Sequence, residues 1–128
     1  MIETAETMQA GLRIIIENHL AIGEPLIVEG DCIHPALAPK PGFVSARASG
    51  RLKFCCLRFA HAEEPRSSIL GRDCGLNGKT DQMIDSLVRF QWQYATWLET
   101  ECRASGIPLV DCLPYTSLAQ RMRSALDR

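Results

Sequence analysis

Gly23-Glu24-Pro25-Leu26-Ile27-Val28-Glu29-Gly30-Asp31 and Gly106-Ile107-Pro108-Leu109-Val110-Asp111 share one device, a Gly-x-Pro joint followed by a short apolar run that closes on a carboxylate. Glycine accepts the left-handed conformation that ends a helix, and proline cannot continue one. A nearly continuous apolar run is the pattern of a strand buried on both faces. Each joint therefore predicts a passage from helix to strand, with strands over 26–31 and 107–111 whose tips carry Asp31 and Asp111. A further run, Leu52 to Phe59 (LKFCCLRF), reads as the remaining strand. Strands of this kind alternating with helices predict an α/β fold, a short and mostly parallel sheet with flanking helices on both faces.

The helices follow from periodicity. Met8, Leu12, Ile15, Ile16, His19 and Leu20 recur at helical spacing and predict an amphipathic helix over 4–22 that Gly23 stops. Residues 32–50 hold Pro35, Pro39, Pro41, Gly42 and Gly50 and read mostly as loop, with one helical turn near Pro35-Ala36-Leu37. His61 to Lys79 reads as a short helix followed by a polar segment. Thr80 is a candidate N-cap for a long helix to Ala104 with two apolar seams. One seam is Ile84, Val88, Gln91, Ala95, Leu98 and Cys102; the other is Met83, Leu87, Phe90, Tyr94 and Trp97. So wide an apolar surface predicts contact with more than one neighbour. Ser117 with Gln120 is a capping-box pattern for a last helix with Leu118, Met122, Ala125 and Leu126 inward.

Composition bounds the rest. With 128 residues, 46% hydrophobic and 23% charged, the chain is the size of one domain that can bury a core. A net charge of −1 gives no basic field for nucleic acid or an anionic membrane. No run approaches the roughly 18 apolar residues of a membrane span. Met1-Ile2-Glu3-Thr4-Ala5-Glu6 lacks the features of a signal peptide, which predicts a cytoplasmic protein. Six cysteines, at 32, 55, 56, 74, 102 and 112, form no C-x-x-C and read as reduced, structural thiols.

The order of these pieces resembles the C-terminal half of the P-loop kinases, in the AAA-like ATP-binding group near the nucleoside, shikimate and 2-phosphoglycerate kinases. The matching pieces are Glu17-Asn18-His19-Leu20 before Pro25–Asp31, the polar segment with Arg66 and Arg72, and Pro114-Tyr115-Thr116-Ser117-Leu118 followed by Arg121. They span nearly the whole chain. The resemblance implies a partial P-loop NTPase-like three-layer sandwich, working with ATP and Mg on a small-molecule hydroxyl acceptor or nucleotide. It gives Asp31 the catalytic role of base for the acceptor hydroxyl, or of a magnesium ligand through water. Arg66 and Arg72, in a lid over about 61–79, would close on the phosphates. His34 would reach substrate beyond Asp31, and Pro114 and Tyr115 would lie beside the nucleobase. The residues alone leave other roles open: Asp31 as a helix cap, the two arginines paired with Glu63, Glu64 and Asp73, Tyr115 as a helix-flanking hydrophobe, His34 as surface and His19 as core.

One part of such a kinase is missing. A P-loop needs G-x-x-x-x-G-K-[ST], because backbone amides wrap the phosphates and the lysine reaches the outer ones. Gly78-Lys79-Thr80 supplies the tail, but Asp73 stands where the leading glycine belongs and would repel a phosphate. In the family resembled, the strand feeding that loop lies between the counterparts of Leu26–Asp31 and Leu52–Phe59. Its absence predicts half of a longer or split enzyme, direct pairing of those two strands, or a homo-oligomer that covers the exposed edges. The expected function is thus the acceptor-binding and lid portion of a kinase-like protein that is not catalytic alone. The alternative is a noncatalytic kinase-like binding or interaction module.

Overall fold

The Gly-x-Pro joints behave differently from each other in the folded chain. The computed structural model describes residues 2–72 and 75–127, which form two compact units. One unit runs to Phe54 and takes in Ser105–Ile107; the other holds Cys55–Ala104 and the chain from Pro108 onward.

In the first unit, α1 (Ile2–Ile22) ends as expected at Gly23, whose φ is +77° and whose N–H donates to the His19 carbonyl at 3.0 Å. Its buried stripe is narrower than the sequence suggests. Leu12 and Ile16, one turn apart, are buried and Leu20 is half-buried, whereas Met8 and Ile15 are exposed. Beyond Gly23 the expected strand does not form: 24–30 is irregular and exposed, with Ile27 at 93% exposure. A strand needs a neighbour to take its backbone N–H and C=O groups, and no described strand lies beside this one. Its apolar side chains therefore face water.

The expected turn at Pro35–Leu37 is present as a single 3-10 turn. A helix that sequence reasoning missed follows it, α2 (Pro41–Ala48). Prolines and Gly42 suggested loop there, yet Pro41 sits in the first turn, where a missing N–H costs nothing. This helix drives Phe43, at 0% exposure, into a core with Leu12, Ile16 and Leu37, flanked by Leu20, Ile33, Leu52 and Phe54. Arg47 ties the same unit together. It donates to the carbonyls of Ala38 (3.3 Å) and Gly106 (3.1 Å), and its guanidinium lies 5.8 Å from the Phe54 ring centre.

The second Gly-x-Pro joint, at Gly106, does lead into a strand. Gly106, with φ +62°, ends the long helix α4 (Asp81–Ser105), and Pro108 leads into β2 (Leu109–Asp111). β2 pairs in parallel with β1 (Cys56–Arg58), in the register Cys56↔Leu109, Leu57↔Val110, Arg58↔Asp111. The fold is α/β with a parallel sheet, reduced to two strands among the described residues. Between the strands lie α3 (Glu64–Gly71) and α4. Thr80 is the expected cap, its Oγ1 accepting from the Met83 N–H at 3.3 Å. Thr80→Ala is expected to lower stability by about 1 kcal/mol in urea denaturation. No change would show the cap to be idle.

Only one seam of α4 is buried. Ile84, Ala95, Leu98 and Cys102 are buried, while Met83, Leu87 and Phe90 of the other seam are exposed. Tyr94 and Trp97 stack on each other, with ring centres 5.3 Å apart. The chain then passes the cis Leu113–Pro114 bond and a 3-10 turn (Tyr115–Ser117) into α5 (Leu118–Leu126), which packs on β2. The Ser117–Gln120 capping box does not form, because the Ser117 hydroxyl accepts from Arg121 instead. No helix among the described residues is long and apolar enough to cross a membrane.

Candidate functional site

In parallel α/β sheets, ligands sit beyond the carboxyl ends of the strands, because helix N-termini and loop amides converge there. In the second unit that edge is formed by Arg58 and Asp111, which end the two strands opposite each other. Arg58 Nε donates to Asp111 Oδ1 at 2.9 Å and its Nη1 lies 2.8 Å from Glu99 Oε2 on α4. The bond to Asp111 raises the Arg58 guanidinium above its ordinary value; burial opposes this and Glu99 adds to it. One guanidinium held by two carboxylates thus links the sheet to the helix.

The loop amides at this edge are already taken. Ala60 and His61 N–H groups, just after β1, donate to Glu64 Oε2 at 2.7 and 3.2 Å. A carboxylate of the protein thus occupies the position where an anion would be cradled. On the β2 side, Arg121 donates to the carbonyls of Asp111 (2.7 Å) and Pro114 (3.1 Å), fixing the turn into α5. Burial pushes the Cys112 thiol up; Glu64 and Asp111 add to this, and the nearby Arg72 charge opposes it.

The residues expected to carry function fall into both units. Asp31 is exposed in the turn after Gly30, and His34 is buried with its Nδ1 accepting the Ala36 N–H at 3.0 Å. That hydrogen bond makes His34 the cap of the 3-10 turn rather than a surface residue, and commits one ring nitrogen to the backbone. Both belong to the first unit. Arg66, Arg72, Pro114 and Tyr115 belong to the second. Arg66 projects from α3 and pairs with Asp85 of α4. Arg72 follows the end of α3. The Tyr115 hydroxyl is 2.7 Å from Ser68 Oγ on α3, while its ring is half open to solvent. The lid expected over about 61–79 is therefore in part the regular helix α3. Asp73, the residue that spoils the P-loop near miss, lies outside the described residues; Lys79 N–H donates to the Leu76 carbonyl at 3.0 Å.

Sequence reasoning missed Arg58, Glu64 and Glu99, since no local pattern pairs residue 58 with 99. Among the described residues no group of three or more His, Cys, Asp or Glu side chains is gathered to hold a metal ion. Compared with protein-family models, curated proteins and solved structures, the chain matches none.

Proposed function

We propose that the chain is the acceptor-binding and lid portion of an ATP-dependent small-molecule kinase-like protein, a partial three-layer P-loop sandwich that does not transfer phosphate alone. The observation that supports this reading is an incomplete sheet. Among the described residues β1 and β2 have only each other as strand neighbours, and the strand-like sequence Leu26–Val28 lies exposed with no described strand beside it. A strand bearing the phosphate loop is the kind of neighbour that such a strand edge takes. In this reading Asp31 orients the acceptor hydroxyl and accepts its proton, Arg72 and Arg66 neutralise phosphoryl oxygens, and Tyr115 flanks the base.

A specific observation favours the second reading, a noncatalytic binding module. Asp85 holds Arg66, and Glu64 fills the amides after β1, so groups suited to phosphate are satisfied internally. Pyrophosphate and Mg·ATP titrations followed by calorimetry separate the two. The kinase-portion reading expects pyrophosphate to bind and Arg72→Ala to weaken it about tenfold or more, the loss of a charge-assisted hydrogen bond of about 1.5–3 kcal/mol. It also expects no ADP release by the chain alone. Failure of both anions to bind would overturn it in favour of the module.

A further inference from the structure

Two thiols meet where β1 lies against α4. Strand side chains alternate faces, so Cys56 shares the face of Arg58. Residues three apart on a helix are neighbours, so Cys102 lies one turn along from Glu99. Since Arg58 reaches Glu99 at 2.8 Å, the pair two residues back on the strand and one turn on along the helix is brought face to face. The Cys56 and Cys102 thiols are hydrogen-bonded to each other there, and both are reduced. Cys102 is fully enclosed at 0% exposure, while Cys56 keeps partial access to solvent.

We propose that Cys56 and Cys102 are a dithiol site for a two-electron oxidant of the peroxide class, closing an intramolecular disulfide that links β1 to α4. Cys56 gives up its thiol proton and its sulfur takes one peroxide oxygen. The O–O bond breaks, hydroxide leaves and is protonated to water, and Cys56 becomes a sulfenic acid. The Cys102 sulfur then attacks the Cys56 sulfur and the S–O bond breaks, with hydroxide leaving as a second water that carries the Cys102 proton. Two thiols and one hydrogen peroxide give one disulfide and two waters. The environments divide the labour. The hydrogen bond from Cys102 holds the Cys56 thiol below its ordinary range against the effect of burial, whereas that bond and burial push Cys102 up. Cys56 is therefore the attacking sulfur and Cys102 the resolving one. Cys55 is no competitor: it precedes β1, and burial raises its thiol.

The test uses the whole chain. It is treated with a modest excess of hydrogen peroxide, blocked with N-ethylmaleimide, denatured and mapped after trypsin. The expected result is loss of two of the six thiols and a crosslink between the peptides Phe54–Arg58 and Phe90–Arg103, reversed by dithiothreitol. Because the first peptide carries both Cys55 and Cys56, the same mapping is run on Cys55→Ser, where the crosslink should persist, and on Cys56→Ser, where it should vanish. Cys55 is partly exposed, so that variant does not depend on replacing a core residue. A crosslink lost in Cys55→Ser, or Cys56 carried to the sulfinic acid with Cys102 left as a free thiol, would overturn the proposal.

Discussion

Phe43→Ala is expected to lower the stability of the first unit by about 3–5 kcal/mol, the usual cost of emptying a fully enclosed aromatic site. Phe43 has 0% exposure, and its ring centre lies 6.5 Å from that of Phe54, tilted 46°. The void would open between α1, which supplies Leu12 and Ile16, and the Pro35–Leu37 turn, which supplies Leu37. Collapse is hindered because Arg47 holds α2 through two carbonyl bonds and the Phe54 ring. Urea denaturation followed by far-UV circular dichroism measures the loss. The neighbouring Val44, 54% exposed, gives the control: Val44→Ala should stay within about 0.5 kcal/mol. Equal losses in the two variants would show that α2 does not pack through Phe43.

Why Phe43 escaped the sequence reading, while α4 did not, is a matter of local against tertiary information. Thr80, each step of the seam from Ile84 to Cys102, and Gly106 act on residues within about a turn of themselves, so α4 could be read with its cap and its stop. The joint at Gly106 led correctly into β2 for the same reason. In α2 the local signals, Pro39, Pro41 and Gly42, point to loop, and the helix is selected by the burial of one aromatic ring against residues more than twenty positions away. Leu26–Val28 shows the opposite failure. Its β-forming side chains read as a buried strand, but a strand is completed by a neighbour, and composition does not say whether one is present. The site was less legible still. Arg66 and Tyr115 were visible as residue types, yet their partners, Asp85 and Ser68, are set by the packing of α3. Glu64, which fills the amides after β1, appeared only as a possible partner for an arginine.

Leu98→Ala is expected to cost the second unit about 2–5 kcal/mol, and Phe90→Ala on the neighbouring seam of the same helix less than about 1 kcal/mol. Residue type alone would give the larger side chain, Phe90, the larger effect. Burial reverses that order: Leu98 is 7% exposed and Phe90 47%. Leu98 lies between Ala95 and Cys102 in the buried row, and its removal loosens the helix one residue from Glu99, which holds Arg58. The ion pair cannot compensate, because Arg58 and Glu99 are each 28% exposed and a solvent-reached pair contributes roughly 0–1 kcal/mol. Trp92 and Trp97, the two tryptophans of the chain, both sit on α4, so tryptophan fluorescence in urea follows this unit directly. A larger loss for Phe90→Ala would mean that the exposed seam is covered in solution, and dependence of that loss on protein concentration would identify a second copy of the chain as the cover. The expected order, Leu98 well above Phe90 at every concentration, would fix Ile84 to Cys102 as the face that holds α4 in its unit and leave Met83, Leu87 and Phe90 outside its core.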